Sequence, residues 1–204
     1  MLNILVANPK GGSGKTTLAT NLAGYFTTLG GTVTLRDLDR QQSASKWLDR
    51  RPDNLPIIHS ANLKDKSQIQ SDFVITDSPA GLHGDKLSDG VKQADCVIVP
   101  IQPSAFDIGA TTNFLKILTE EKAIRKNKTF VALIGMRVNN RTLSAIALSE
   151  FMATADFEVL TYLRNAQAYV TAAEQGLSLF DMRESIVKQD LLQWKPIIEW
   201  VMDA

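Results

Sequence analysis

Nine residues, Pro9-Lys10-Gly11-Gly12-Ser13-Gly14-Lys15-Thr16-Thr17, constrain this 204-residue chain more than any other stretch, because of what flanks them. Before them runs the apolar segment Asn3 to Ala7, which reads as a strand. After them Leu18, Leu22, Tyr25, Phe26 and Leu29 repeat at helical spacing until Gly30-Gly31 stops the helix. A strand that turns through glycines into a helix is the setting of a phosphate-binding loop. Gly11, Gly12 and Gly14 permit backbone conformations that turn successive N–H groups inward, and the helix N-terminus adds its positive dipole end. Lys15 neutralises β- and γ-phosphate charge, and the Thr16 hydroxyl is the hard oxygen donor that Mg²⁺ prefers. Ser13 and Thr17 belong to the same nucleotide-binding loop.

Further apolar runs lie at Thr32 to Arg36, Phe73 to Thr76, Cys96 to Ile101, Phe130 to Gly135 and Val159 to Leu163. Most are too continuous to be half exposed, the pattern of strands covered on both faces. Helical patterns at Thr111 to Lys122, Leu143 to Ala155 and Ile186 to Met202 alternate with them. The expected fold is α/β: a doubly wound, mostly parallel sheet with helices on both faces and right-handed crossovers, in one domain over residues 1–204.

Composition narrows the function. Hydrophobic residues at 44% are too many for a disordered chain. The 22 Lys+Arg and 22 Asp+Glu cancel, so attraction to nucleic acid or anionic lipid has to come from a local patch. No uncharged run approaches the ~20 residues of a membrane-spanning helix, and Met1 to Ala7 carries no basic leader, so a cytoplasmic protein is expected. Cys96 stands alone in an apolar run and reads as a small core residue. His59 and His83 are too few and too separated for a metal or triad site, and Ser13 and Ser78 lack a His/Asp pair, which excludes acyl transfer.

The loop departs from the strict pattern: Pro9 replaces its first glycine, and Lys10 adds a second lysine. The form KGGxGK[ST] resembles the deviant Walker A loop of the ParA/MinD ATPases. The resemblance extends to Asp37-Leu38-Asp39-Arg40-Gln41, similar to the family's switch I motif with Arg40 in place of proline. It also takes in Asp77-Ser78-Pro79-Ala80-Gly81, similar to switch II behind a Walker B strand, and Asp95 to Pro103. Arg164 through Tyr169, Ala172 and Gly176 matches the closing segment R-x-x-x-x-Y-x-x-A-x-x-x-G. The similarity runs from Leu2 to about Phe180.

What the resemblance implies is specific. ATP and Mg²⁺ would close two chains into a homodimer, with Lys10 of each completing the other's phosphate site. Asp39 would orient or deprotonate the attacking water, Asp37 would support the phosphate and Mg²⁺ shell, and Thr16, Asp39 and Asp77 would serve the metal. Lys10, Lys15 and Asp39 are thus the catalytic candidates. Met136, Arg137 and Arg164 would shape the adenine end. Relatives bind non-specific DNA in the ATP state and are stimulated by a ParB-like or other partner protein, which implies a nucleoid-associated positioning ATPase.

Candidate DNA contacts are Lys122, Arg125, Lys126 and Lys128, in a span from Lys116 to Arg141 with seven basic residues and two acids; Arg164, Arg183, Lys188 and Lys195 are alternatives. The last helix carries an apolar stripe from Leu191 to Met202, but Asp190, Glu199 and Asp203 outnumber Lys188 and Lys195 there. Packing onto the domain is therefore expected over a membrane-associated MinD-like role. A metabolic phosphotransferase, as in related dethiobiotin synthetases, is the remaining alternative, and Lys10 argues against it.

Overall fold

The computed structural model describes residues 1–61 and 70–204. Seven parallel strands form one sheet: β1 (Leu2–Val6), β2 (Val33–Asp37), β3 (Ile58–Ser60), β4 (Phe73–Asp77), β5 (Cys96–Ile101), β6 (Phe130–Val138) and β7 (Glu158–Arg164). Their order is β3-β2-β4-β1-β5-β6-β7, so the chain winds outward from β1 in both directions. The helices are α1 (Lys15–Thr28), α2 (Ser43–Leu48), α3 (Gly84–Gln93), α4 (Ala105–Glu120), α5 (Lys122–Arg125), α6 (Leu143–Ala153), α7 (Gln167–Glu174) and α8 (Glu184–Met202). A 3₁₀ turn at Leu179–Asp181 precedes α8.

Alternation along each strand divides the core in two. Ile4 and Val6 of β1 and Cys96 and Ile98 of β5 join one cluster with Leu18, Leu22 and Phe26 of α1 and Trp194 of α8. Leu5, Ala7, Val97 and Val99 face the other way and meet Leu87 of α3, Leu118 of α4 and Leu148 of α6. Both faces of the central strands are thereby dry, which is why their sequences are unbroken apolar runs. Cys96 is fully buried in the first cluster, and that burial pushes its thiol up to about 12.

Three expectations are corrected. The fourth helix begins at Ala105 and not at Thr111, because the Ser104 side chain caps it by accepting from the Asp107 N–H at 3.1 Å. The run to Lys122 is broken after Glu120, and Lys122 opens the separate turn α5, closed by Asn127 at φ 52°. Val159 to Leu163 is an edge strand in which only Leu163 is buried, so it is not covered on both faces as the central strands are. The structure also contains α2, α3 and α7, for which the sequence offered no long helical pattern.

α8 turns its stripe inward: Val187, Trp194, Ile197, Ile198 and Val201 are buried, while Ile186, Leu192 and Met202 are exposed. Pro196 sits inside this helix. No helix among the described residues is long and apolar enough to cross a membrane.

Gly176 decides how the closing segment meets α2. It adopts φ +68°, and a Cβ there would lie 2.4 Å from the Arg50 carbonyl carbon and 2.5 Å from the Arg51 amide nitrogen. Close by, Arg51 forms a nearly buried ion pair with Asp181 at 2.9 Å. Gly176→Ala combines a left-handed backbone with a backbone clash, and should cost about 2–4 kcal/mol, read as a lower urea midpoint at unchanged m-value.

Candidate nucleotide site

Parallel winding brings every strand's C-terminal end to one edge, and the phosphate-type loop sits there at the switch point between β4-β1 and β1-β5. Gly12 (φ 79°) and Gly14 (φ 106°) take the conformations that the loop needs. Met136 packs beneath Gly14, where a Cβ would meet Met136 Cε at 2.7 Å. Asn8 fixes the loop's entry. Its Nδ2 donates to the Pro100 carbonyl (2.8 Å) and Thr111 Oγ1 (3.1 Å), and its Oδ1 accepts the Lys10 N–H (2.8 Å).

Lys15 folds back over the loop and donates from Nζ to the Lys10 carbonyl at 2.9 Å. It is 6% exposed; burial pulls its ammonium below the ordinary lysine value, while Asp77 and Asp39 pull the other way. Thr16 Oγ1 donates to Asp77 Oδ2 at 2.7 Å, joining the first turn of α1 to the end of β4. Asp77 is 1% exposed, and burial raises its carboxyl to about 7, with Asp37 and Asp39 adding to the rise and Thr16 and Lys15 opposing it.

Three buried oxygens here have no hydrogen-bond partner: Asp77 Oδ1, Ser13 Oγ and Ser78 Oγ. A buried unpaired carboxylate oxygen is costly, and a cation with its hydration shell is the natural acceptor of that charge. Thr16 and Asp77 present hard oxygens only, which fits Mg²⁺.

Asp37 and Asp39 play different parts. Asp37 Oδ1 accepts from the Asp39 N–H (3.0 Å) and Oδ2 from the Ser45 N–H (2.8 Å), so its carboxylate organises the turn and caps α2. Asp39 accepts from the Gln41 N–H (2.9 Å) and, more weakly, from the Ala80 N–H (3.4 Å), bridging the segments after β2 and β4.

Two clefts meet at the loop. A smaller one of about 250 Å³ is walled by Gly11 to Thr17, Asp39 and Ala80. A larger one of about 810 Å³ is walled by Met136, Arg164, Tyr169 and Glu174, and Thr17 and Arg137 line both. Arg137 is exposed and holds φ 52° at the irregular end of β6. The proportions suit a phosphate chain beside a base. Met136 is 3% exposed, so it supports the loop more than it faces the cleft.

Arg164 is committed within the chain. Its guanidinium makes a bidentate pair with Asp190, at 2.7 Å and 2.8 Å, and Asp190 is fully buried. It can wall the larger cleft, but it is not a free cation for DNA. The sequence counts Asp190 with Glu199 and Asp203 among the charges of the last helix, yet Asp190 is fully buried: at i+3 from Val187 and i−4 from Trp194 it lies inside the apolar stripe, where its charge is met by Arg164. Asn21 was missed: its Oδ1 accepts the Leu179 N–H at 2.8 Å, tying α1 to the closing segment.

The other basic candidates do not form one patch. Lys122, Arg125, Lys126 and Lys128 are exposed and lie just before β6, at the sheet edge opposite the glycine loop. Arg183 and Lys188 are exposed at the start of α8, and Lys195 lies 3.6 Å from Glu199 in an exposed pair.

Residues 4–180 match the family model of the CobQ/CobB/MinD/ParA nucleotide-binding domain. The chain belongs to this family. It is 30% identical over 191 residues to maintenance of carboxysome distribution protein A of Halothiobacillus neapolitanus, covering 88% of this chain and 87% of that one. Its fold matches that of McdA from Cyanothece in an ATP complex, with TM-score 0.71, 14% identity and coverage of 97% and 96%. It also matches cobyrinic acid a,c-diamide synthase from Mycobacterium smegmatis with bound ADP and magnesium, with TM-score 0.66, 22% identity and coverage of 85% and 92%. Positioning proteins and metabolic enzymes thus share this fold, and function has to be argued from the site.

The raised Asp77 carboxyl makes stability depend on pH. An acid whose folded value exceeds its unfolded 3.8 opposes folding increasingly as pH rises from about 4 to about 7. In metal-free, nucleotide-free protein, Asp77→Asn should match wild type near pH 4. Its advantage should grow to on the order of 3–4 kcal/mol by pH 7.5 and stay level above that, measured by denaturant unfolding at each pH.

Proposed function

We propose that this protein is a ParA-type ATPase that closes into an ATP-dependent dimer, binds DNA non-specifically in that state and positions a cargo through a partner that stimulates hydrolysis. The observation that carries the reading is Lys10. It stands in the loop beside Lys15, yet its side chain is not among the walls of its own phosphate cleft. In this reading the Lys10 ammonium serves the phosphates of a second chain rather than its own.

In this reading the Gly11 to Thr17 backbone and Lys15 hold the phosphates, and Thr16 and Asp77 hold Mg²⁺. Mg²⁺, when bound, neutralises charge on the β- and γ-phosphate oxygens. Asp39, on a turn held by Asp37 and in contact with Ala80, orients the attacking water. That water's oxygen bonds to the γ-phosphorus as the bond to the β-γ bridging oxygen breaks, giving ADP and phosphate. Phosphoryl transfer needs positioning and charge stabilisation more than covalent chemistry, so these groups suffice. Arg137 and Arg164 flank the base.

For DNA, the exposed Lys122, Arg125, Lys126 and Lys128 are favoured as the densest basic group, whereas Arg164 is paired with Asp190 and Lys195 lies beside Glu199. A dimer doubles each patch and multiplies weak phosphate contacts. Similarity to a carboxysome distribution protein supports a positioning role for the cargo-bound cycle. The inward stripe of α8 favours this reading over a membrane foot.

Lys15→Ala should abolish ATP binding by calorimetry, and retained affinity would sink the phosphate-site assignment. Asp39→Ala should keep ATP affinity, accumulate the dimer and reduce phosphate release by at least about 100-fold. DNA binding should appear only with ATP and Mg²⁺ and weaken steeply with salt; binding to a duplex that ignores nucleotide state would overturn the switch.

A further inference from the structure

Phe106, the second residue of α4, is 82% exposed and belongs to neither core cluster. Single exposed apolar side chains are ordinary on a protein surface, so it is the neighbour of this ring, not its exposure, that gives it a role. Over its face lies Lys10, whose Nζ is 6.0 Å from the ring centroid. The face of an aromatic ring carries negative quadrupolar charge and attracts an ammonium at this range.

The backbone of Lys10 is fixed on both sides of its Cα. Its N–H is taken by Asn8 Oδ1 at 2.8 Å and its carbonyl by Lys15 Nζ at 2.9 Å. The side chain is then the only part free to move, and a lysine carries several rotatable bonds. Phe106 is itself anchored: Ser104 caps α4 through the Asp107 N–H, and Asp107 is 9% exposed. The ring therefore stands at a capped helix start beside the loop.

We infer that Phe106 is a positioning residue for Lys10: its ring holds the ammonium on the outer flank of the loop, away from its own phosphate cleft and presented to a second copy of this chain. The inference rests on the proposed two-chain reading. Restricting the lysine before association leaves less rotamer freedom to be lost when the second chain binds.

The test uses the full chain as wild type, Phe106→Leu and Phe106→Tyr, since leucine keeps apolar area without a π-face and tyrosine keeps the face. The first arm needs no nucleotide. Acylation of the Lys10 amine by an amine-reactive ester, followed by peptide mass spectrometry, should be about 2- to 5-fold faster in Phe106→Leu and at the wild-type rate in Phe106→Tyr. The second arm measures dimerisation by sedimentation with a non-hydrolysable ATP analogue. Phe106→Leu should weaken the dimer by the same factor, Phe106→Tyr should restore it, and ATP affinity of the single chain and the thermal midpoint should not change.

Equal Lys10 labelling in Phe106→Leu and wild type overturns the contact, and a wild-type dimer in Phe106→Leu overturns the positioning role. Lys10→Ala separates the two levels: if that variant dimerises as wild type does, the two-chain reading itself falls, whatever Phe106 does.

Discussion

The hydrogen bond from Thr16 to Asp77 is the constraint on which the rest of the site depends. It pins the first turn of α1 to the end of β4, across the strand β1 that lies between β4 and β5. Because Asp77 is buried on a parallel sheet covered by helices, its second oxygen has no hydrogen-bond partner, and burial raises the carboxyl to about 7. Lys15 is buried beside it and pulled the opposite way. Two groups of opposite charge, each disfavoured by burial, form a site whose electrostatics improve when phosphate and a divalent cation enter together. The chain stores this imbalance at the one place where its topology gathers every strand end.

How much of this was legible in the sequence depends on how local each signal is. The loop from Lys10 to Thr17 and the strand ending in Asp77 are contiguous motifs, and a parallel sheet places them on one edge without further information. The starts of α2 and α4 are set by single side chains, the Asp37 carboxylate and the Ser104 hydroxyl, which reach over intervening residues. Periodicity sees none of that. Asp37 reads from the sequence only as support for the phosphate and Mg²⁺ shell, while each of its oxygens also accepts a backbone N–H and so organises the turn. Arg164 looked like a free cation, because its partner Asp190 lies on another element, hidden in an apolar stripe. Long-range pairs of this kind leave no spacing to read.

The larger cleft is held by contacts that also hold the end of the chain. Arg164 and Tyr169 line it; Arg164 is bound to Asp190, and Tyr169 accepts a hydrogen bond from Trp194 Nε1 at 3.0 Å. Both partners lie on α8. Asn21 ties the helix behind the phosphates to the Leu179 turn that leads into α8. Whatever fills the cleft therefore touches residues that dock the last helix.

α8 also spans the height of the sheet. Asp190 meets Arg164 at the C-terminal end of β7, and Trp200 donates to Glu158 at its N-terminal end, at 3.0 Å. Nineteen residues at about 1.5 Å each make a strut of roughly 28 Å, bolted at the nucleotide edge and again at the far edge. Pro196 cannot donate to the Leu192 carbonyl, so the strut has one compliant joint between its two bolts. The last helix is thus fastened to both ends of one edge strand, with the hydrogen bond that Pro196 cannot make lying between the two fastenings.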